Sequence, residues 1–120
     1  MTVRVLIVDD QEPFRLAARM VVDATDGFEV VGQAETGESS VEMARELAPD
    51  LVLMDVNLPG INGLDATRQI LSERSDSLIV LLLSTYEEDQ FDVAGSGAAA
   101  YVAKAVFGPD RLSEAWSAAS

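Results

Sequence analysis

Three short apolar runs, Val3–Val8, Leu51–Met54 and Leu78–Leu83, constrain the fold of this 120-residue chain more than any other feature. They are near-continuous rather than alternating. A strand with one wet face alternates, whereas a parallel strand covered on both faces does not. Phe28–Gly32 carries the aromatic and β-branched residues of a further strand, and Ala99–Val102 reads as a weaker fifth. Parallel neighbours need long crossovers, and the segments between these runs are long enough to be helical.

Helical spacing is present in those segments. Phe14, Ala17, Ala18 and Val21 fall on one stripe, with Pro13 placed for a first turn. Val41, Ala44 and Ala48 form a second stripe, widened by Met43 and Leu47 and stopped by Pro49. Leu64, Thr67 and Leu71 make a third. Leu112, Ala115, Trp116 and Ala119 make a last one after Pro109, with Trp116 expected in the core. Between Thr85 and Ala99 only Phe91, Val93 and Ala94 offer an apolar face, and Gly95-Ser96-Gly97 follows, so a short or mobile helix is expected there. Strand and helix alternate five times, which predicts a doubly wound α/β fold: a five-stranded parallel sheet, flavodoxin-like, in strand order 2-1-3-4-5. The length suits one domain spanning residues 1–120.

Composition narrows the chemistry. The chain has no histidine, no cysteine and a formal charge of -13. Disulfides, thiol nucleophiles, zinc knuckles and triads built on histidine are thereby excluded. The acidic balance argues against direct nucleic-acid binding, since phosphates must be met by lysine and arginine. No apolar run approaches the ~20 residues needed to span a bilayer, and the N-terminus lacks the pattern of a signal peptide. A cytoplasmic protein is expected.

In open α/β sheets the site lies beyond the strand C-termini, at the switch in strand order. Here those ends carry Asp9 and Asp10, Asp55, Ser84 and Thr85, and Lys104, the single lysine of the chain. Clustered carboxylates cannot all stay ionised without a compensating charge. An all-oxygen set suits Mg2+ as that charge, and the rim then accepts a phosphoryl group. Asp55 becomes a carboxylate nucleophile, Lys104 balances the phosphoryl oxygens, and Ser84 donates a hydrogen bond to one of them.

These residues resemble the receiver domain of two-component response regulators. The matching pieces are Val8-Asp9-Asp10, the run from Met54 to Gly60 with Gly63, Ser84-Thr85, and Tyr101 to Lys104, so the likeness covers essentially the whole chain. The resemblance implies Asp55 as phosphoacceptor, charged by a histidine kinase or a histidine phosphotransfer domain. It implies Mg2+ held by Asp10, Asp55 and the backbone carbonyl of Asn57, with Asp9 acting through water. Lys104 and the Thr85 N–H would contact the phosphoryl group, Ser84 would be the switch hydroxyl, and Tyr101 the aromatic that reports the state on the partner face. Asn57 and Tyr86 would tune loss of the phosphoryl group. Docking would use Gln11, Phe14, Arg15 and the 105–109 segment, and homodimerisation on activation is a further implied partnership. The pattern is similar to LuxR-type receivers, whose helix-turn-helix output domain is not in this sequence, so the chain is either an excised or a stand-alone receiver. Lys104 precedes Ala105 where many relatives have proline, and a cis bond there would cost ~2.5–4 kcal/mol.

Blander readings accompany each piece. Asp9-Asp10 is also a solvated turn, Pro59-Gly60 and Gly63 a turn before a helix, Ser84-Thr85 an N-cap, and Tyr101 a half-buried core aromatic. Gly95 and Gly97 read as loop glycines. Of the other functions, a flavodoxin-like electron carrier is opposed by the anionic stretch Asp9 to Glu12, which repels a flavin phosphate. An aspartyl phosphatase wants a second carboxylate two residues after the nucleophile, where Asn57 stands. A receiver-like interaction module acting independently of phosphorylation is the alternative that the residues leave open.

Overall fold

The computed structural model describes residues 2–74, 78–85 and 93–120. The elements run β1 (Val3–Val8), α1 (Glu12–Asp23), β2 (Phe28–Ala34), α2 (Gly37–Leu47), β3 (Leu51–Asp55), α3 (Gly63–Glu73), β4 (Ile79–Ser84), α4 (Val93–Ser96), β5 (Ala100–Ala103) and α5 (Pro109–Ala119), with a 3-10 turn at Lys104–Val106 before α5. All strand pairings are parallel, and the sheet order is β2-β1-β3-β4-β5. The expected doubly wound topology is therefore present.

Strand periodicity divides the core into two layers. Leu6, Val8, Val52, Met54, Val80 and Leu82 face one side, where they meet Val41 and Ala44 of α2 and Ala66 and Ile70 of α3. Val5, Ile7, Leu51, Leu53, Leu81 and Leu83 face the other, against Ala18 and Val22 of α1 and Leu112 of α5. Successive residues of β1, β3 and β4 thus feed opposite layers, which is why these strands read as unbroken apolar runs. Each fully buried leucine contributes roughly 1.5–3 kcal/mol by leaving water.

Helix ends follow local chemistry. Thr36 caps α2 by accepting from the Ser39 N–H at 3.0 Å, and the Ser39 hydroxyl accepts the Thr36 N–H in return at 3.2 Å. The helix ends at Leu47, not at Ala48. Ala48 adopts a left-handed φ of 47° before Pro49, and Arg4 donates to the carbonyls of Leu47 and Ala48 at 2.8 Å each. The expected α2 stripe therefore loses its last member. Ala17 is likewise exposed, and α1 buries Arg15, Ala18 and Val22 instead, with Phe14 and Val21 half-buried. Trp116 is half-buried rather than core, and meets Phe28 edge-on at 6.1 Å.

The short helix expected before β5 is α4, which has four residues. Gly95 lies inside it, correcting its reading as a loop glycine, while Gly97 follows with a φ of +87°. Phe91 and Tyr86, both singled out from the sequence, fall outside the described residues. Among the described residues no peptide bond is cis, so Lys104–Ala105 is trans. No described helix is long and apolar enough to cross a membrane.

Candidate functional site

The chain leaves β1 for the edge strand β2 and returns across β1 to β3, so strand order reverses between β1 and β3. Asp9 and Asp10 follow β1 and Asp55 is the last residue of β3, on the two sides of that switch. Carboxylate oxygens of the three residues all lie within 4.8 Å of one another. Asp9 and Asp55 are buried and Asp10 is exposed, so the cluster opens to solvent on the Asp10 side.

Main-chain and side-chain donors set the geometry. The Asp9 N–H extends the sheet by donating to Ala34 O at 3.0 Å, and Asp9 Oδ1 accepts the Gln11 N–H at 2.8 Å. Lys104 Nζ lies 2.5 Å from Asp9 Oδ2 and 3.5 Å from Asp55 Oδ1. The ammonium also sits 4.3 Å above the Phe14 ring, which in turn meets Phe107 at 6.4 Å. An aromatic face and two carboxylates thus fix the lysine over the cluster. Asp55 Oδ1 accepts the Asn57 N–H at 3.3 Å.

The cluster is electrostatically unbalanced. Burial, and then the Asp9 carboxylate, push the Asp55 carboxyl up to about 6, against the opposing influence of Lys104 and the Asn57 N–H. One lysine does not neutralise three carboxylates. An all-oxygen, multiply anionic set of this kind matches the donor preference of Mg2+, so these residues fit that cation.

The loop after Asp55 is shaped by close backbone approach. A Cβ on Gly63 would lie 2.0 Å from the Asp55 carbonyl oxygen and 2.9 Å from the Val56 Cα. The Gly63 N–H donates to Val56 O at 2.9 Å, which closes the loop onto the strand end. Gly60 takes a φ of +76° within this turn, next to the Glu38 carboxylate of α2. Gly63 is thus more than a turn residue, because it lets α3 start against the Asp55 backbone.

Of the remaining residues expected at the site, Ser84 is fully buried at the end of β4 and Thr85 is exposed beside it. Tyr101 is half-buried, and its hydroxyl donates to Ser84 O at 3.3 Å. Arg15 differs from expectation. It is 8% exposed and donates to the buried main-chain carbonyl of Asp9, with only Glu35 at the surface end, so it does not present a docking surface. Gln11 is exposed, as are Ala105, Val106 and Pro109 of the 105–109 segment. Sequence reasoning did not find the interior role of Arg15 or the seat of Lys104 on Phe14. A charged residue one position off the apolar stripe of α1 was the available signal for the first.

The fold and the site define a flavodoxin-like α/β domain with an acidic, cation-receptive carboxylate cluster at its switch point. A profile of the response regulator receiver domain matches residues 5–117, and the chain belongs to that family. Members of it are phosphoacceptor switches of two-component signalling, phosphorylated by histidine kinases, with Mg2+ and phosphoaspartate as general features. The response regulator GacA of Pseudomonas viridiflava is 46% identical over 104 residues, covering 85% of this chain and 48% of that protein. The transcriptional regulatory protein LiaR of Bacillus subtilis is 39% identical over 103 residues, covering 85% and 49%. The chain spans about half the length of these relatives. Among solved structures, a LuxR-family response regulator from Aurantimonas sp. SI85-9A1 superimposes with a TM-score of 0.88 at 31% identity, covering 98% of this chain and 84% of that one. The response regulator domain of Thermotoga maritima CheB gives 0.84 at 29% identity, covering 98% and 96%.

Proposed function

We propose that residues 1–120 act as one receiver unit that takes a phosphoryl group onto Asp55 from a phosphohistidine of a kinase or phosphotransfer domain. The observation that carries this reading is the convergence of Asp9, Asp10 and Asp55 within 4.8 Å, with Lys104 Nζ 3.5 Å from Asp55. In the transfer, a carboxylate oxygen of Asp55 forms the new O–P bond as the P–N bond to the donor imidazole breaks, and the imidazole keeps the electron pair. With a carboxyl pushed only to about 6, Asp55 is mostly the anionic nucleophile at neutral pH.

Asp10, Asp55 and the Asn57 carbonyl are the groups that would hold Mg2+, with Asp9 joined through water. When bound, Mg2+ neutralises the approaching phosphoryl oxygens. Lys104, already poised over the cluster, adds a second positive charge, and the Ser84 hydroxyl and Thr85 N–H, at the end of the neighbouring strand β4, would donate to the phosphoryl oxygens. Recruitment of Ser84 alters the ground beneath Tyr101, whose hydroxyl bonds the Ser84 carbonyl, and so biases the α4–β5–α5 surface between two states.

The chain works as a switch, with no chemistry beyond its own phosphorylation and dephosphorylation, in the cytoplasm. Homodimerisation on activation, and an output domain in a longer protein, belong to the same proposal. The reading as an interaction module acting without phosphorylation finds no support in the relatives. Incubation with Mg2+ and acetyl phosphate, followed by intact mass measurement, tests the proposal. One added phosphoryl group is expected, dependent on Mg2+ and absent in Asp55→Ala. No adduct with this donor or with a phosphorylated kinase, and no binding of beryllofluoride, would favour the interaction module.

A further inference from the structure

Arg15 turns its guanidinium into the molecule, whereas the Arg19 side chain, one turn along α1, is 54% exposed. Arg15 Nη1 donates to the main-chain carbonyl of Asp9 at 2.7 Å in a buried contact, and Nη2 reaches Glu35 Oε1 at 3.1 Å. The two contacts are unequal. The Glu35 side chain is 71% exposed, where an ion pair contributes little. The Asp9 contact is a charge-assisted hydrogen bond removed from water, which is the stronger kind.

The Asp9 carbonyl belongs to the planar peptide group that joins Asp9 to Asp10. Fixing its oxygen fixes the rotation of that plane, and with it the direction in which the Asp10 residue departs. On the other side of Asp9, the N–H is already held by Ala34 and Oδ1 by the Gln11 N–H. Lys104 Nζ holds Asp9 Oδ2, and Arg15 is the side chain that holds the peptide joining Asp9 to Asp10. It reaches the pocket from α1 without offering any group to it.

We propose that Arg15 is a positioning residue for the cation pocket, orienting the Asp9–Asp10 peptide so that both carboxylates face Asp55. The inference rests on the reading of Asp9, Asp10 and Asp55 as the Mg2+ site. Its sign distinguishes it from simple electrostatics. Arg15 places a positive charge close to the pocket, so loss of that charge alone would tighten cation binding. Loss of the orientation weakens it.

Calorimetric titration with Mg2+, well below the unfolding temperature, tests this on the wild type, Arg15→Met, Arg15→Lys and the core control Ile70→Val. Arg15→Met is expected to weaken Mg2+ binding roughly tenfold, the low end for groups that orient metal ligands. Arg15→Lys keeps a charged donor and recovers part of the loss. Ile70→Val lowers the thermal midpoint and leaves the Mg2+ affinity unchanged, which separates orientation from stability. Arg15→Met binding Mg2+ as tightly as the wild type, or more tightly, overturns the proposal. Where Arg15→Met does not fold, Arg15→Gln, which loses the charged donor and keeps a polar side chain, is titrated in its place and decides by the same criterion. A wild type that does not bind Mg2+ at all overturns the site reading itself, and the proposal with it.

Discussion

Replacing Asp55 with asparagine should stabilise the protein at neutral pH, although it removes the group on which the function depends. Asp55 is buried beside Asp9, and its carboxyl is pushed from 3.8 up to about 6. A folded-state value above the unfolded one means that the native state binds the extra proton between those limits. Stability is therefore fully present below about pH 4 and falls as pH rises through 6. The separation is about two units, each corresponding to about 1.4 kcal/mol, and solvent screening on the open side of the cluster reduces the cost of the ionised carboxylate to on the order of 1–2 kcal/mol at pH 7. The asparagine amide, neutral at every pH, avoids that cost. Urea unfolding of wild type and Asp55→Asn at a series of pH values measures it directly. The expected gain is near zero below pH 4, grows between 4 and 6, and levels off on the order of 1–2 kcal/mol above 6. Saturating Mg2+ should stabilise the wild type and leave the variant unmoved. Equal stabilities at pH 7, or a gain of the same size at pH 3.5 and pH 7, would refute the claim that the pocket carries unbalanced charge.

Other outcomes follow from the same geometry. Gly63→Ala gains ~1 kcal/mol of helix preference, but its Cβ would stand 2.0 Å from the Asp55 carbonyl oxygen. The displacement should win, with a net loss of about 2 kcal/mol or more in urea unfolding; unchanged stability would show that the loop gives way freely. Lys104→Ala should remain folded and raise the Asp55 carboxyl further, because Lys104 lowers it, as read from carboxylate carbon shifts against pH. The same variant should form the phosphoryl adduct on the order of 10- to 100-fold more slowly, judged by intact mass against time. An unfolded Lys104→Ala would mark the lysine as a structural tie between β5 and the cluster.

Much of this was legible in the residues because the central strands are covered on both faces. Val5 through Val8, Leu51 through Met54 and Val80 through Leu83 are all buried, so each buried run ends where the next charged or hydroxyl residue appears. The same boundary locates Asp9, Asp55 and Ser84. Edges were less legible. β2 continues past Gly32 through Gln33 to Ala34 because those residues pair with Ile7 and Val8, after a register shift between Val5 and Leu6 that no local pattern encodes. Trp116 has the most apolar surface of α5, but it covers Phe28 at the flank of the sheet rather than entering the core.

Errors on the helices share a cause. Apolar periodicity treats a charged side chain as outward-facing, yet Arg15 is buried because a main-chain carbonyl meets it inside. Ala48 fits the α2 stripe by spacing, but Pro49 and the Arg4 contacts to the last carbonyls end the helix one residue earlier. Gly63 illustrates the opposite case. Its identity was visible, and its reason, the approach to the Asp55 backbone, exists only in three dimensions.

The central claim is that Asp55 is the phosphoacceptor. Borohydride reduces an acyl phosphate on aspartate to homoserine, which marks the modified position permanently. Treating the Mg2+-dependent adduct in this way and sequencing the peptides by mass spectrometry should place homoserine at position 55 and nowhere else. Homoserine at Asp9 or Asp10, or an adduct-bearing protein that is not reduced at any aspartate, would contradict the account.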